Sequence, residues 1–313
     1  MKSIMYHYVR PDSAKLPFFR HLHVEDFRRQ LEYLANEFDM IDRETFLRSI
    51  ESGNVPPNAC VLTFDDGFKD HFRFVLPEFQ ARGLWGLFYV PTGMYQSGEL
   101  LNVHRIHLLI GGRGGKAIAD ELENLIDDGM LSDEHRDEFR NQTYRTQSND
   151  EDTLYVKRCL NYFIGYEHRK QVLDELMEAF WEDEQQLVED FYMNETELSA
   201  MQRTGMLLGS HTVTHPVMSK LDDDAQLREI TDSFAFLDRV TGGLPVRTFC
   251  YPHGGFHTFT EATERLLTEA GCAFSFNVEA RDITNVDVTR RPQALPRYDC
   301  NMFPHGKCRE HRD

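Results

Sequence analysis

Residues 59–64 form an unbroken apolar, β-branched and aromatic run, Ala-Cys-Val-Leu-Thr-Phe, that stops at two adjacent carboxylates and a glycine, Asp65-Asp66-Gly67. Introduced by Pro56-Pro57-Asn58, the run reads as a buried strand. Side chains alternate across a strand, so Asp65 and Asp66 point in different directions. One can hold an ion while the other faces a substrate. Two neighbouring carboxylates repel each other, and burial raises their pKa values. A cation or a set of hydrogen-bond donors has to offset that cost. Taken alone, the same residues also suit a plain loop, with Asp65 capping the next helix and Gly67 making the turn.

The rest of the chain alternates around this strand. Strand patterns are expected over residues 3–8, 38–41, 84–90, 206–210, 246–251 and 272–278. Helices are expected over 25–38, 43–51, 70–82, 222–240 and 260–270, with a further helix starting at Asn194 and running to Arg203. In the first helix Phe27, Leu31, Leu34 and Phe38 make one apolar stripe, which reads as core. Asn194 followed by Glu197 is a helix-start signal. About seven β-α units imply a parallel barrel. Each chemically interesting stretch falls just after a strand, where barrel enzymes assemble their sites.

The second such stretch is Gly209-Ser210-His211-Thr212-Val213-Thr214-His215-Pro216. Four extended residues span roughly 13 Å, too far for one ion. Metal–nitrogen bonds of about 2.0–2.1 Å need the two rings nearly touching. If both histidines bind one ion, the backbone coils just after His211. A strand over 206–210 followed by a helical turn would do this, although Pro216 disfavours a helical Thr214-His215. An isolated pair of this spacing also serves as two ordinary loop histidines. An aspartate plus two histidines with open coordination positions is a metal-catalytic set.

Together these stretches resemble the polysaccharide deacetylases, the NodB-homology group of carbohydrate esterase family 4. Thr63-Phe64-Asp65-Asp66-Gly67 is similar to the family's first motif, and His211-Thr212-Val213-Thr214-His215 to its second. Phe249-Cys250-Tyr251-Pro252-His253-Gly254 resembles a variant third motif of the branch that de-N-acetylates surface polysaccharides, and Met5-Tyr6-His7 resembles that branch's first strand. The resemblance covers residues 2–93 and 193–297. It implies an α/β fold, a distorted and incompletely closed (β/α)7 barrel. It implies that Asp66, His211 and His215 hold one divalent ion, with zinc expected and cobalt, nickel, manganese or iron as alternatives. Asp65 would be the general base, and Tyr251 and Pro252 would shape the substrate pocket.

The match breaks at the general acid. The family's late Leu-x-His motif does not occur after Val278. His253, His257 and His305 are the candidates. His253 is favoured because it directly follows Tyr251-Pro252 at a strand end. His7, near the end of the first strand, is expected to touch substrate. Arg297 is expected to contact a carboxylated sugar or to orient the base, unless it is a surface arginine.

The implied activity is metal-dependent removal of an N-acyl group, N-acetyl being expected, from a sugar of cell-surface polysaccharide biosynthesis. A nucleotide- or lipid-linked precursor is the expected substrate. The alternatives are hydrolysis of an N-formyl group or a cyclic ureide, a metal-containing sugar-binding protein with little activity, and a non-haem iron oxygenase. The β-α alternation argues against the last.

Composition narrows the partners. The 313 residues carry a net charge of −18, which argues against nucleic acid or an anionic membrane. The first residues lack the apolar core of a signal peptide, and no stretch has the apolar length of a membrane span. Six cysteines without a Cys-x-x-Cys pair disfavour a zinc ribbon and fit a reduced, cytoplasmic setting.

Residues 94–192 break the rhythm and read as a helical insertion within a single domain spanning 1–313. Helices are expected over 118–131, 167–180 and 182–191, and a polar, mobile loop over 141–152. The glycine run 111–115 has no phosphate-loop pattern. His104 and His107 read as ordinary polar residues. An insertion of this length suits a cap over the site or an arm that makes a homo-oligomer.

Overall fold

The computed structural model describes residues 1–131, 137, 141, 143–144, 149–181 and 183–309. The chain separates into two compact units, one of residues 1–11, 21–97 and 189–309, the other of residues 12–20, 98–188 and 310–313.

The first unit holds ten strands: β1 (Lys2–Tyr6), β2 (Val9–Arg10), β3 (Leu22–His23), β4 (Asp39–Met40), β5 (Ala59–Phe64), β6 (Leu87–Val90), β7 (Leu207–Ser210), β8 (Thr248–Cys250), β9 (Phe274–Phe276) and β10 (Tyr298–Asp299). They pair in the order β10-β1-β5-β6-β7-β8-β9, every pair parallel, with β4 also on β5. The sheet curls but does not close through a regular ladder. The gap is spanned by an irregular segment. Leu295 bridges to Phe276, and three residues on Tyr298 pairs with Ile4. This is the expected incompletely closed (β/α) barrel.

Alternation along the strands builds two cores. Cys60, Leu62, Phe64, Phe88, Val90 and Leu208 pack with the helix residues Phe27, Leu31, Leu34 and Phe79. Ala59, Val61, Leu87, Tyr89 and Leu207, one residue out of step, pack with Cys250, Phe274, Phe276 and Leu295 on the opposite face. Thr63 and Asp65 share the parity of Ala59 and Val61. Asp65 is thereby carried to the face where Cys250 also lies.

The helices carry the caps that the sequence signals. Asn194 and Glu197 exchange bonds of 2.9 and 2.8 Å in a capping box on Glu195–Arg203. Asp222 caps Asp223–Thr241, and left-handed Gly242 ends it. The expected helix over 70–82 is not uniform. Residues His71–Val75 form a wider π turn before the regular helix Leu76–Arg82. The wide turn lies just upstream of Pro77, which has no N–H for a regular ladder. Strands expected over 84–90, 246–251 and 272–278 are shorter, because their first residues serve the turns into the sheet. The β2–β3 pair, the helix Asn285–Arg290 and β10 carry too few residues to show a period.

The second unit is helical, with Asn102–Arg113, Gly115–Leu125, Glu151–Arg158 and Tyr166–Phe180 around Ile106, Leu109, Ile118, Leu122, Leu160, Leu173 and Leu176. Gly111 lies inside the first of these helices, where a Cβ would come within 2.4 Å of the Phe19 ring. The glycine run therefore serves close packing by the segment 12–20. Arg105 is buried and paired with Glu184 at 2.7 Å and Asp174 at 2.7 Å. The helix expected over 118–131 starts earlier and stops at Leu125. In the loop expected over 141–152, residues 142 and 145–148 lie outside the described residues, and 151–152 open a helix capped by Asp150. The expected helix 182–191 is Glu184–Phe191; residue 182 lies outside the described residues. Among the described residues no helix is long and apolar enough to cross a membrane.

Candidate active site

Three strand ends deliver the site: Asp65-Asp66 after β5, His211 to His215 after β7 and His253 after β8. The backbone there is unusual. Asp66, Thr212, His215 and His253 all have positive φ, at 80°, 67°, 57° and 62°. Non-glycine residues rarely adopt this region, and such strain concentrates at functional sites.

Asp66 lies between the two histidines. Its Oδ1 is 3.5 Å from Nε2 of His211 and 3.5 Å from Nε2 of His215. The rings of the histidines are 4.8 Å apart and nearly perpendicular. The helical turn expected after His211 is absent. The loop instead folds back through left-handed Thr212 and His215, with the His215 N–H donating to Thr212 Oγ1 at 3.0 Å.

His211 is held through one ring nitrogen. Its Nδ1–H donates to the Cys250 carbonyl at 2.7 Å, since a carbonyl can only accept, and this leaves the Nε2 lone pair toward Asp66. Burial lowers its pKa, despite the nearby carboxylates, and so keeps the ring neutral, the form that binds a cation. Two buried imidazole nitrogens and one buried carboxylate oxygen, all within 4.8 Å of one another, fit a divalent ion with positions left open. Asp65, His211 and Cys250 are equally close, but a guanidinium already occupies Asp65 and Cys250.

That guanidinium belongs to Arg297, which is 1% exposed. Its Nη1 and Nη2 each reach one oxygen of Asp65 at 2.8 Å. Its remaining donors go to Asn277 O, Thr63 Oγ1 and Cys250 Sγ. All five N–H groups are spent, so Arg297 has none to offer a sugar. Its expected contact with substrate is corrected on that ground. The Asp65 carboxyl is pushed up by burial, but the charge and hydrogen bonds of Arg297 outweigh this and hold it below the usual carboxylate range.

Tyr251 also departs from expectation. Its ring stacks on Phe259 at 3.8 Å and its hydroxyl donates to Gln293 O at 2.6 Å. The side chain fills the core rather than a pocket wall. Pro252 is buried beside it. Of the three candidate acids, His253 lies against the cluster, its ring 4.9 Å from that of His215. His257 is half-buried over Gly255, and its carbonyl accepts from Ser219. His305 is exposed, in a turn that Gln30 holds through Pro304 O. His7 is half-exposed, with Nε2 3.9 Å from Asp65 Oδ2. Its carbonyl accepts from the buried His71 at 2.8 Å.

A sequence model described as polysaccharide deacetylase matches residues 162–274, a span that holds His211, His215 and Tyr251 but not Asp65-Asp66. Solved structures supply the rest of the fold. The deacetylase PplD of Streptococcus pyogenes, in complex with acetate, superposes with a TM-score of 0.59 at 14% identity, covering 98% of this chain and 95% of that one. IcaB from Ammonifex degensii gives 0.54 at 17% identity, covering 95% and 90%. Part of the chain is thus similar to the polysaccharide deacetylase family, and the chain as a whole shares its fold with these structures. The deacetylase domain of BpsB from Bordetella bronchiseptica is similar at 0.52 and 13% identity, covering 95% of this chain and 94% of that one. No curated protein matches the chain in sequence.

Three residues that bond to Arg297 were not visible as such in the sequence: Thr63, Cys250 and Asn277. Only Thr63 left a signal, sharing strand parity with Asp65.

Proposed function

We propose that this chain is a metal-dependent hydrolase that removes an N-acyl group, N-acetyl being expected, from a sugar of a cell-surface polysaccharide. The observation that carries the reading is the juxtaposition of Asp66, His211 and His215 with an Asp65 that Arg297 keeps ionised. Asp66, His211 and His215 would hold the ion. Once bound, it would polarise the amide carbonyl and make its water more acidic.

Asp65 then accepts the proton of the attacking water as general base. Arg297 ensures that the carboxylate is charged and that its orientation is fixed by two parallel bonds. The water oxygen bonds to the acyl carbon, the carbon–nitrogen bond breaks, and the departing amine takes up a proton. His253, beside His215, is the acid we favour. His7, near Asp65, is the geometric rival. The products are a free amino sugar and the carboxylic acid.

The acetate bound in the structure of the similar PplD supports acetyl as the acyl group. Among the described residues no disulfide joins the six cysteines, which supports a reduced compartment, and with it a nucleotide- or lipid-linked sugar. We read residues 94–192 as an insertion in one deacetylase domain. The test is acetate release from free, nucleotide-linked and oligomeric N-acetyl sugars by metal-reconstituted protein, with Asp65→Asn as control. Acetate from one class, absent in the control, supports reaction and substrate together. No acetate from any class sinks the N-acetyl reading.

A further inference from the structure

The loop that presents His215 is gripped from two sides. On one side, Thr92 N–H donates to Thr212 O at 3.1 Å and Gly93 N–H to Val213 O at 2.7 Å. Gly93 allows this approach, because a Cβ there would lie 2.7 Å from the same oxygen. On the other side stands Glu229, from the helix Asp223–Thr241. Its Oε2 accepts both the Val213 N–H at 2.7 Å and the Thr214 N–H at 2.8 Å, and its Oε1 accepts the Thr214 hydroxyl at 2.7 Å.

Two consecutive N–H groups converging on one carboxylate oxygen form an anion-binding concavity, here filled by the protein's own side chain. Bonds to a charged acceptor are the strong kind. They hold residues 213–214 between the two left-handed residues, Thr212 and His215. That conformation has to be over-determined by its surroundings to persist.

We infer that Glu229 is a positioning residue for the metal centre, fixing the loop that sets His215 against Asp66 and His211. The inference rests on the reading of these three as metal ligands. Glu229 lies outside every motif and acts through the loop, by two backbone N–H groups and the Thr214 hydroxyl.

The experiment is a titration of metal-free protein with Co2+, followed by calorimetry and by the visible absorption of the bound ion, alongside thermal melting of the metal-free forms. Glu229→Ala should weaken Co2+ binding about 10- to 100-fold, the usual effect of losing a group that orients a ligand, and should alter the spectrum. Glu229→Gln should recover most of the affinity. The amide oxygen can still accept both N–H groups, and the amide nitrogen can donate to the Thr214 hydroxyl. Thr214→Val removes one bond and should cost a few-fold at most. If Glu229→Ala does not fold, Glu229→Gln and Thr214→Val still rank the bonds.

Wild-type affinity and spectrum in folded Glu229→Ala would overturn the inference while leaving the metal reading intact. A wild-type chain that binds no Co2+ would overturn the metal reading and this inference with it. A lowered melting temperature with unchanged Co2+ affinity would make Glu229 merely structural.

Discussion

The two Nη atoms of Arg297 meet the two oxygens of Asp65 at 2.8 Å each, in a pair where neither partner is more than 2% exposed. The residues are 232 positions apart in the chain. Arg297 arrives on the irregular segment that spans the gap between β9 and β10. The unclosed edge of the barrel is thus where Asp65 is tied down.

Replacing Arg297 should separate geometry from charge. Arg297→Lys keeps a cation but cannot make the planar fork, so we expect a folded protein with activity at least ~100-fold lower, in line with misplacement of a catalytic group. Arg297→Met leaves Asp65 buried and unpaired, and should cost about 3–5 kcal/mol of stability by urea unfolding. Equal activity in Arg297→Lys would show that charge alone suffices.

Stability should fall on acidification in two stages. His71 is buried, and burial lowers its pKa from 6.5 to about 4. The unfolded chain therefore takes up a proton first. Stability is flat above about pH 6.5 and declines from there to about pH 4, by on the order of 3 kcal/mol. His211, also lowered by burial, adds to this with the same sign in metal-free protein. Asp65 acts lower down. Its folded pKa lies below the ordinary 3.8, so its contribution is complete above that value and is lost as pH falls beneath it. Urea midpoints at pH 7, 5.5 and 4.5 measure the first stage, and His71→Gln should flatten it.

Asp65 and His215 should divide in a metal assay. We expect Asp65→Asn to retain bound metal and lose turnover, and His215→Ala to lose both. Metal content by atomic absorption beside acetate release checks the pair. Near-normal turnover in Asp65→Asn would remove Asp65 from the role of base.

The parts of this site that could be read from the sequence are those built by one strand and its end. Ala59–Phe64 is buried throughout, so its pattern is dense, and Asp65-Asp66-Gly67 follows at once. The His211 to His215 spacing showed that the chain must coil, but not how. The left-handed Thr212 and His215 depend on Glu229 and on residues 92–93, which are distant in sequence. Arg297 was ambiguous for the same reason. A lone arginine after a run of turn residues has no period, and its environment of Thr63, Asp65, Cys250 and Asn277 comes from three other strand ends. Tyr251 misled because its neighbours in sequence are at the site while its ring points behind it.

The same geometry leaves His253 and His7 as rivals for the general acid, and pH profiles decide between them. His253 sits 4.9 Å, ring to ring, from His215, and His7 has its Nε2 3.9 Å from Asp65. An acid must be protonated to work, so activity falls as pH rises through its pKa in the complex. Removing it should lower kcat by about 10²- to 10⁴-fold and abolish that alkaline limb. We expect His253→Gln to do both, with metal content unchanged. His7→Gln should then raise KM and leave the limb in place. The reverse result, with the limb lost only in His7→Gln, would transfer the role to His7. It would also mean that the proton reaches the amine from the Asp65 side of the site, by the same face on which the water loses its own.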